Sequence, residues 1–189
     1  MATFVFRSSE MVWLRLELQK LQPRYTLRKG AIPVVILNDS NLEEFQEFRR
    51  RYPYRASGRM LDDARNPGFA CFMARLQDGV AGVMLLGTED YHYQEPKLRV
   101  HINPGEVCVY GIWILPEHRR KMVAAVLVET ALLEFKSRGV PWATGFTDRT
   151  NTASLGITES FGFQERNHVR FHSILGYQLR PNRQSSCER

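Results

Sequence analysis

The chain has 189 residues and a formal net charge of +6, with 26 Lys and Arg against 20 Asp and Glu. That length suits one domain and is short for two separate cores, and 43% apolar with 24% charged residues is the composition of a globular chain, not a disordered one. No apolar run approaches the roughly 18 residues of a membrane helix, and Cys71, Cys108 and Cys187 are too scattered for a metal cluster or a disulfide framework.

Residues 1–30 read as an N-terminal extension. Leu14, Leu16 and Leu18 alternate with Trp13, Arg15 and Glu17, which is strand period. With a second short strand at residues 3–6, they predict an added β-hairpin. Residues 31–179 read as one domain. It opens with a β-branched strand at 33–37, followed by a helix over 42–51 capped by Asp39 or Ser40. A second short helix at 61–65 ends at Asn66-Pro67-Gly68. Residues 69–76 and 80–86 flank Gln77-Asp78-Gly79, and Asp-Gly between apolar runs marks a hairpin. A long polar connection covers 88–105. Residues 107–115 (VCVYGIWIL) are apolar almost throughout, the pattern of a strand buried on both faces. Pro116 stops it. Helix period then runs through Val123, Val126, Leu127, Thr130 and Ala131 to a cap at Gly139. A strand at 142–146, a short helix at 151–161 and a hairpin ending near Tyr177 follow. The polar, basic tail 180–189 carries no periodicity and is expected to fray. The order predicts an α/β or α+β fold with one mixed sheet.

The charge is uneven, net +5 over residues 1–60, −3 over 61–116 and +4 over 117–189. A basic balance suits a phosphorylated or acidic ligand. Nucleic acid is the weaker expectation, because no nucleic-acid motif accompanies the charge. No basic flank, apolar stretch and cleavage site open the sequence, so no signal peptide is read. The expected setting is the reducing cytoplasm, with no membrane partner.

The chemistry concentrates in residues 112–127, IWILPEHRRKMVAAVL. A buried strand ends at a proline, and Arg119, Arg120 and Lys121 stand before small and apolar residues that open a helix. Unpaired amides and the helix dipole make such an N-terminus a seat for a pyrophosphate. A second segment, NTASLGITESFGF at 151–163, has Asn151 as a helix cap and Gly162-Phe163 as its end.

Together these two segments resemble the GNAT superfamily of acyl-CoA-dependent N-acyltransferases. Arg119-Arg120-Lys121-Met122-Val123-Ala124 is similar to that family's acyl-CoA loop, and Asn151, Ser154, Gly162 and Phe163 to its later Asn-x-x-Ala/Ser…Gly-Phe segment. The resemblance covers residues 33–175. It implies a mostly antiparallel central sheet with two splayed parallel strands, 107–115 and 142–146, flanked by helices. It further implies acetyl-CoA or another acyl-CoA as co-substrate, with no metal. Backbone groups near Trp113 and Ile114 would hold the pantetheine arm, the amides of Arg119–Ala124 the pyrophosphate, and Asn151 and Ser154 the far side of the cofactor.

Two positions depart from the family pattern. Met122 stands where glycine is usual, and fits if its backbone is helical. Thr158 stands where many members carry the tyrosine that protonates the leaving thiolate. The implied function is transfer of an acyl group, most simply acetyl, to a small-molecule or peptide amine by direct attack in a ternary complex. The alternative is a non-catalytic CoA-binding or regulatory protein of the same fold. Glu106, at the edge of the central strand, is the candidate base, and Tyr110 on the same strand could orient a water or the thioester. Cys108 is expected to be an inert packing residue. His92 and His101 in the connection, and His168 and His172 in the last hairpin, read as surface or pocket-lining groups. Asp148 contacts substrate or turns the chain. Arg49, Arg50, Arg51, Arg55 and Arg59 read as a solvated basic helix end more readily than as an acceptor site. Edge strands in the two terminal hairpins would suit a homodimer.

Overall fold

The computed structural model describes residues 6–26, 32–52, 63–93, 98–174 and 177–179. An eight-stranded mixed sheet forms its centre. The strands are β1 (Phe6–Glu17), β2 (Val34–Ile36), β3 (Phe69–Leu76), β4 (Gly79–Gly87), β7 (Glu106–Ile114), β8 (Trp142–Asp148), β9 (Gln164–Ile174) and β10 (Tyr177–Leu179), in the order β10-β9-β1-β8-β7-β4-β3-β2. Neighbours are antiparallel except β7 and β8. Among the described residues three helices flank it: α1 (Leu42–Arg51), α2 (Val123–Ser137) and α3 (Thr152–Ser160). The mixed sheet, its parallel pair and the helices are those expected.

Of the expected N-terminal hairpin, residues 3–5 lie outside the described residues, and the described part is one strand instead of two. Phe6 and the Leu14–Leu16 alternation lie on one continuous strand, β1, inserted between β8 and β9. The alternation is real, but its partners lie far along the chain: Leu14 faces Gly145 on one side and Glu165 on the other. Local period cannot reveal such pairing. In consequence β1 is no exposed edge; β2 and β10 are the edges.

The sheet buries a core on each face. Val12, Leu14, Leu16, Phe72, Met84, Leu86 and Val107 meet Val123, Leu127, Leu132 and Phe135 of α2. On the other face Phe45 and Phe48 of α1 meet Met73, Val83, Leu85 and Trp113. At roughly 1.5–3 kcal/mol for each large apolar side chain, such burial outweighs helix propensity in fixing these helices.

Some expected boundaries shift. The α1 helix is preceded by a 3₁₀ turn, Asp39–Asn41, which Asn38 caps; Asn41 stands at the N-cap of α1 itself, where Asp39 or Ser40 is expected. Asn38 Oδ1 accepts from the Ser40 amide at 2.9 Å, and Asn41 Oδ1 accepts from the Asn38 amide at 2.8 Å. Of the short helix at 61–65, Asp63–Arg65 forms a 3₁₀ turn and the rest lies outside the described residues. The polar connection 88–105 contains a ribbon of its own, β5 (Tyr91–Tyr93) paired with β6 (Leu98–Val100). The tail 180–189, with Cys187, and Arg55 and Arg59 also lie outside the described residues. No described helix is long and apolar enough to cross a membrane.

Candidate functional site

The parallel pairing of β7 with β8 runs from Glu106–Trp142 to Val109–Gly145 and stops, although β7 continues to Ile114 and β8 to Asp148. The strands part beyond Val109 and Gly145, and the gap between them is where the expected splay lies.

A β-bulge sits at the same point. Leu85 pairs with Gly111 and Leu86 with Val109, leaving Tyr110 as an extra residue on β7. The bulge reverses the alternation of the strand. Cys108 and Tyr110 face α1 before it, Trp113 and Leu115 after it, while Val109, Ile112 and Ile114 face α2. Glycines on both strands make room. A Cβ on Gly111 would lie 2.5 Å from the Trp113 ring, and one on Gly87 would lie 2.8 Å from the Tyr110 ring.

Past Ile114 the chain turns through Pro116–His118 and enters the loop Arg119–Met122, all four exposed, before α2 begins at Val123. Arg120 has φ +62° and Met122 has φ +63°, the only described non-glycine residues in the left-handed region. The expectation of a helical Met122 is therefore corrected. At the position where the resemblance leads one to expect glycine, this chain makes a left-handed turn with a methionine. A left-handed L-residue costs about 1–2 kcal/mol, and glycine returns roughly 0.5–1 kcal/mol of that in unfolded-state entropy. Met122→Gly is therefore expected to raise the melting temperature by about 1–4 °C, whereas β-branched Met122→Val lowers it. Equal melting of the two variants by calorimetry would refute the strain. The loop's cations stand before the first turn of α2, whose amides no intrahelical carbonyl can reach. Val123 is buried and Ala124 half-buried, so their amides are held by a packed helix start.

Across the gap, Asn151 Oδ1 accepts from the Ser154 amide at 3.1 Å and caps α3 as expected. Thr158 Oγ1 donates back to the carbonyls of Ser154 (3.0 Å) and Leu155 (2.9 Å). Its hydroxyl is spent on the helix backbone. Asp148 turns the chain, its Oδ1 accepting from the Thr150 amide at 2.8 Å.

Glu106 is buried at the paired end of β7, as a candidate base should be, but it is not in apolar surroundings. Arg15 Nη2 of β1 lies 2.6 Å from Glu106 Oε1, and Asn103 Nδ2 donates to Oε2 at 3.2 Å. The same guanidinium lies 4.1 Å over the Trp142 ring. Tyr110 is buried against Phe69, and its hydroxyl donates to the Glu89 carbonyl. Burial, and after it the Glu106 charge, push the Cys108 thiol well up, and burial pushes Cys71 to about 12. Both thiols are protonated packing groups. Trp113 is buried and Ile114 half-buried on opposite faces of β7.

Two residues escaped the sequence reading. Arg15 reads there as the polar half of a strand alternation, and His118 is passed over within the segment 112–127. His118 is in fact buried, its Nε2 3.1 Å from Asp78 Oδ2. The Arg49–Arg51 run is engaged at a helix end: Arg50 pairs with Glu47, and Arg51 with Glu117 and Asp78. His101 pairs with Asp90. His168 lies 3.8 Å from Glu165, while the side chains of His92 and His172 lie outside the described residues. No metal-binding group occurs among the described residues.

The family model "Acetyltransferase (GNAT) family" matches residues 35–163. No curated protein matches the chain. Among solved structures, a putative GNAT acetyltransferase from Novosphingobium aromaticivorans superposes with TM-score 0.58 at 16% identity, over 89% of this chain and 64% of that one. A functionally unknown protein from Staphylococcus epidermidis gives 0.60 at 9%, over 89% and 62%. The chain thus spans less than two thirds of these two. Aminoglycoside N-acetyltransferase AAC(6')-Iy, bound to a CoA bisubstrate analogue, gives 0.56 at 21%, over 73% of this chain and 94% of that one. At these identities the likeness is one of fold. The family match covers most of the chain and contains the parted strands, the left-handed loop and the capped third helix, so the chain belongs to the GNAT acetyltransferase family.

Proposed function

We propose that the protein is an acyl-CoA-dependent N-acyltransferase that moves an acyl group, most simply acetyl, from acyl-CoA to an amine. The observation that carries this reading is the opening between β7 and β8 beyond Val109 and Gly145, leading to the cationic, amide-rich loop Arg119–Ala124. In it the pantetheine arm lies along the strand edges at Trp113 and Ile114, the loop amides hold the pyrophosphate, and α3 with Asn151, Ser154 and Thr158 closes the far side. The amine attacks the thioester carbonyl, the carbon–sulfur bond breaks, and CoA leaves as thiolate.

Positioning of the two reactants supplies most of the rate. Glu106 takes the amine's proton, directly or through water, and Arg15 orients its carboxylate. Tyr110 shapes the bulge beside the thioester. With the Thr158 hydroxyl bonded back to its helix, solvent protonates the leaving thiolate. That reading places the enzyme in the cytoplasm, and the acceptor is a small-molecule or peptide amine. The engaged Thr158 also favours a second reading, a GNAT protein that binds CoA without turnover.

Acetyl-CoA at 100 times its dissociation constant is expected to stabilise the fold by about 2.7 kcal/mol, a rise of roughly 5–10 °C in melting temperature. No shift with acetyl-CoA, CoA or a longer acyl-CoA sinks the reading. A shift without thiol release across an amine panel selects the non-catalytic one. Given turnover, Glu106→Gln is expected to lower kcat by about 10²–10⁴-fold; an unchanged pH–rate profile would remove Glu106 as the base.

A further inference from the structure

The loop before α2 holds two left-handed non-glycine residues, and strained backbone of that kind persists only where its surroundings over-determine it. The surroundings on one side are visible. His118, the residue that leads into Arg119, is 5% exposed, although its sequence neighbours Glu117 and Arg119 are exposed. Its amide donates to the Leu115 carbonyl, and Leu115 in turn donates to Ala81 of β4, so the turn is tied to the sheet. The imidazole points to the β3–β4 turn, with Nε2 3.1 Å from Asp78 Oδ2, an ion-pair distance without hydrogen-bond alignment, and neither buried ring nitrogen makes a hydrogen bond. Arg51, at the end of α1, ties the same parts again. Its Nη2 lies 2.9 Å from Glu117 Oε1 and 3.8 Å from Asp78 Oδ2, and its Nη1 donates to the Asp78 carbonyl at 3.2 Å.

We propose that His118, with Asp78, Arg51 and Glu117, is a brace that sets the acyl-CoA loop in its strained, anion-receptive form. His118 acts as a positioning residue and touches no ligand. The brace joins three elements that share no sequence neighbourhood: the end of α1, the β3–β4 turn and the loop itself. A buried imidazole is a costly way to fill space, and a leucine would serve if packing were its purpose. What histidine adds is a polar contact to a carboxylate on a separate turn. The loop's entry is thereby fixed, leaving the left-handed turns at Arg120 and Met122 as the chain's route into α2. The part of this inference that concerns ligand rests on the acyl-CoA reading above.

Two measurements test it. The first is limited trypsin cleavage of the ligand-free protein, read by mass spectrometry at the bonds after Arg119, Arg120 and Lys121. Asp78 is half-exposed, so Asp78→Ala is expected to fold, and it should speed these cleavages about fivefold. His118→Leu should do the same, and His118→Gln, whose amide nitrogen can take the place of Nε2, should cleave like the parent. The second is calorimetric titration with acetyl-CoA. Asp78→Ala should raise the dissociation constant by about fivefold and leave kcat within about twofold. In a Met122→Gly background the Asp78→Ala loss should shrink to about twofold or less, because glycine takes the left-handed turn without the brace. Unchanged cleavage in both Asp78→Ala and His118→Leu overturns the proposal, as does a fall in kcat at constant affinity. If the parent binds no acetyl-CoA, the acyl-CoA reading fails by itself, and the cleavage rates still decide the brace.

Discussion

Deleting residues 1–17 is expected to abolish cooperative folding of the remaining chain. β1 carries ladder pairs to both β8 and β9, so its loss leaves two open edges in the interior of the sheet and detaches β9 with β10. It also removes Val12, Leu14 and Leu16 from the core beneath α2. At about 1.5–3 kcal/mol each, those three side chains alone contribute roughly 5–9 kcal/mol, a large part of the roughly 5–15 kcal/mol of a whole domain. The check is circular dichroism and calorimetry on the truncated protein. A sharp transition within a few degrees of the parent would show that β1 is an accessory after all. The experiment bears on function too, since Arg15, the ion-pair partner of Glu106, leaves with the strand and lies outside the residues that the family match covers.

The next largest loss is expected at Glu129, a fully buried carboxylate on α2. Its Oε1 accepts from the Arg24 amide at 2.5 Å, and its Oε2 from the amides of Tyr25 (2.8 Å) and Thr26 (2.6 Å). This one side chain therefore pins the segment that follows β1 across the helix, aided by Lys136 Nζ, which donates to the carbonyls of Gln19 and Leu21. Glu129→Ala orphans three amides at once and is expected to cost about 3–5 kcal/mol, less than the sum of three separate charged hydrogen bonds. Burial, the largest single influence, pushes the Glu129 carboxyl up. The hydrogen bonds from Thr26, Arg24 and Tyr25 together outweigh it and hold the carboxyl below its ordinary value. The sign follows: this contribution is complete above the unfolded carboxyl value and is lost as pH falls through the lower folded one. Glu129→Gln should flatten the acid limb of the stability curve between about pH 5 and the acid end. An unaltered acid limb would assign that limb to other carboxylates.

What could be read beforehand was what short-range pattern determines. The run 107–115, the Asp78-Gly79 turn, the helix from Val123 to the Gly139 cap and the Asn151 cap each announce themselves within a few residues, because burial on both faces, positive φ and free amides demand particular residue types locally. The two motif segments also carried the family. The placement of β1 was hidden, since strand period is the same for a terminal hairpin and for a strand threaded into a sheet. The partners of Glu106 were hidden for the same reason, as Arg15 reaches it only through that threading. Nothing local marks Glu129, because its three amide donors come from residues 24–26. The left-handed turn at Met122 was hidden by residue type, since methionine there argues for helix and the loop around it imposes otherwise.

The position of β1 also bears on how the chain comes to be folded at all. The Leu14 carbonyl accepts from the hydroxyl of Thr144, a residue 130 positions later. At about 5–20 residues per second, β1, once synthesised, waits roughly 6–25 s for β8, and longer for β9. Throughout that time an alternating, leucine-bearing strand has both edges unclaimed, the condition under which strands pair with other copies. Yield during synthesis is thus governed by how well this segment is shielded while it waits, a kinetic exposure that the stability of the finished sheet does nothing to reduce.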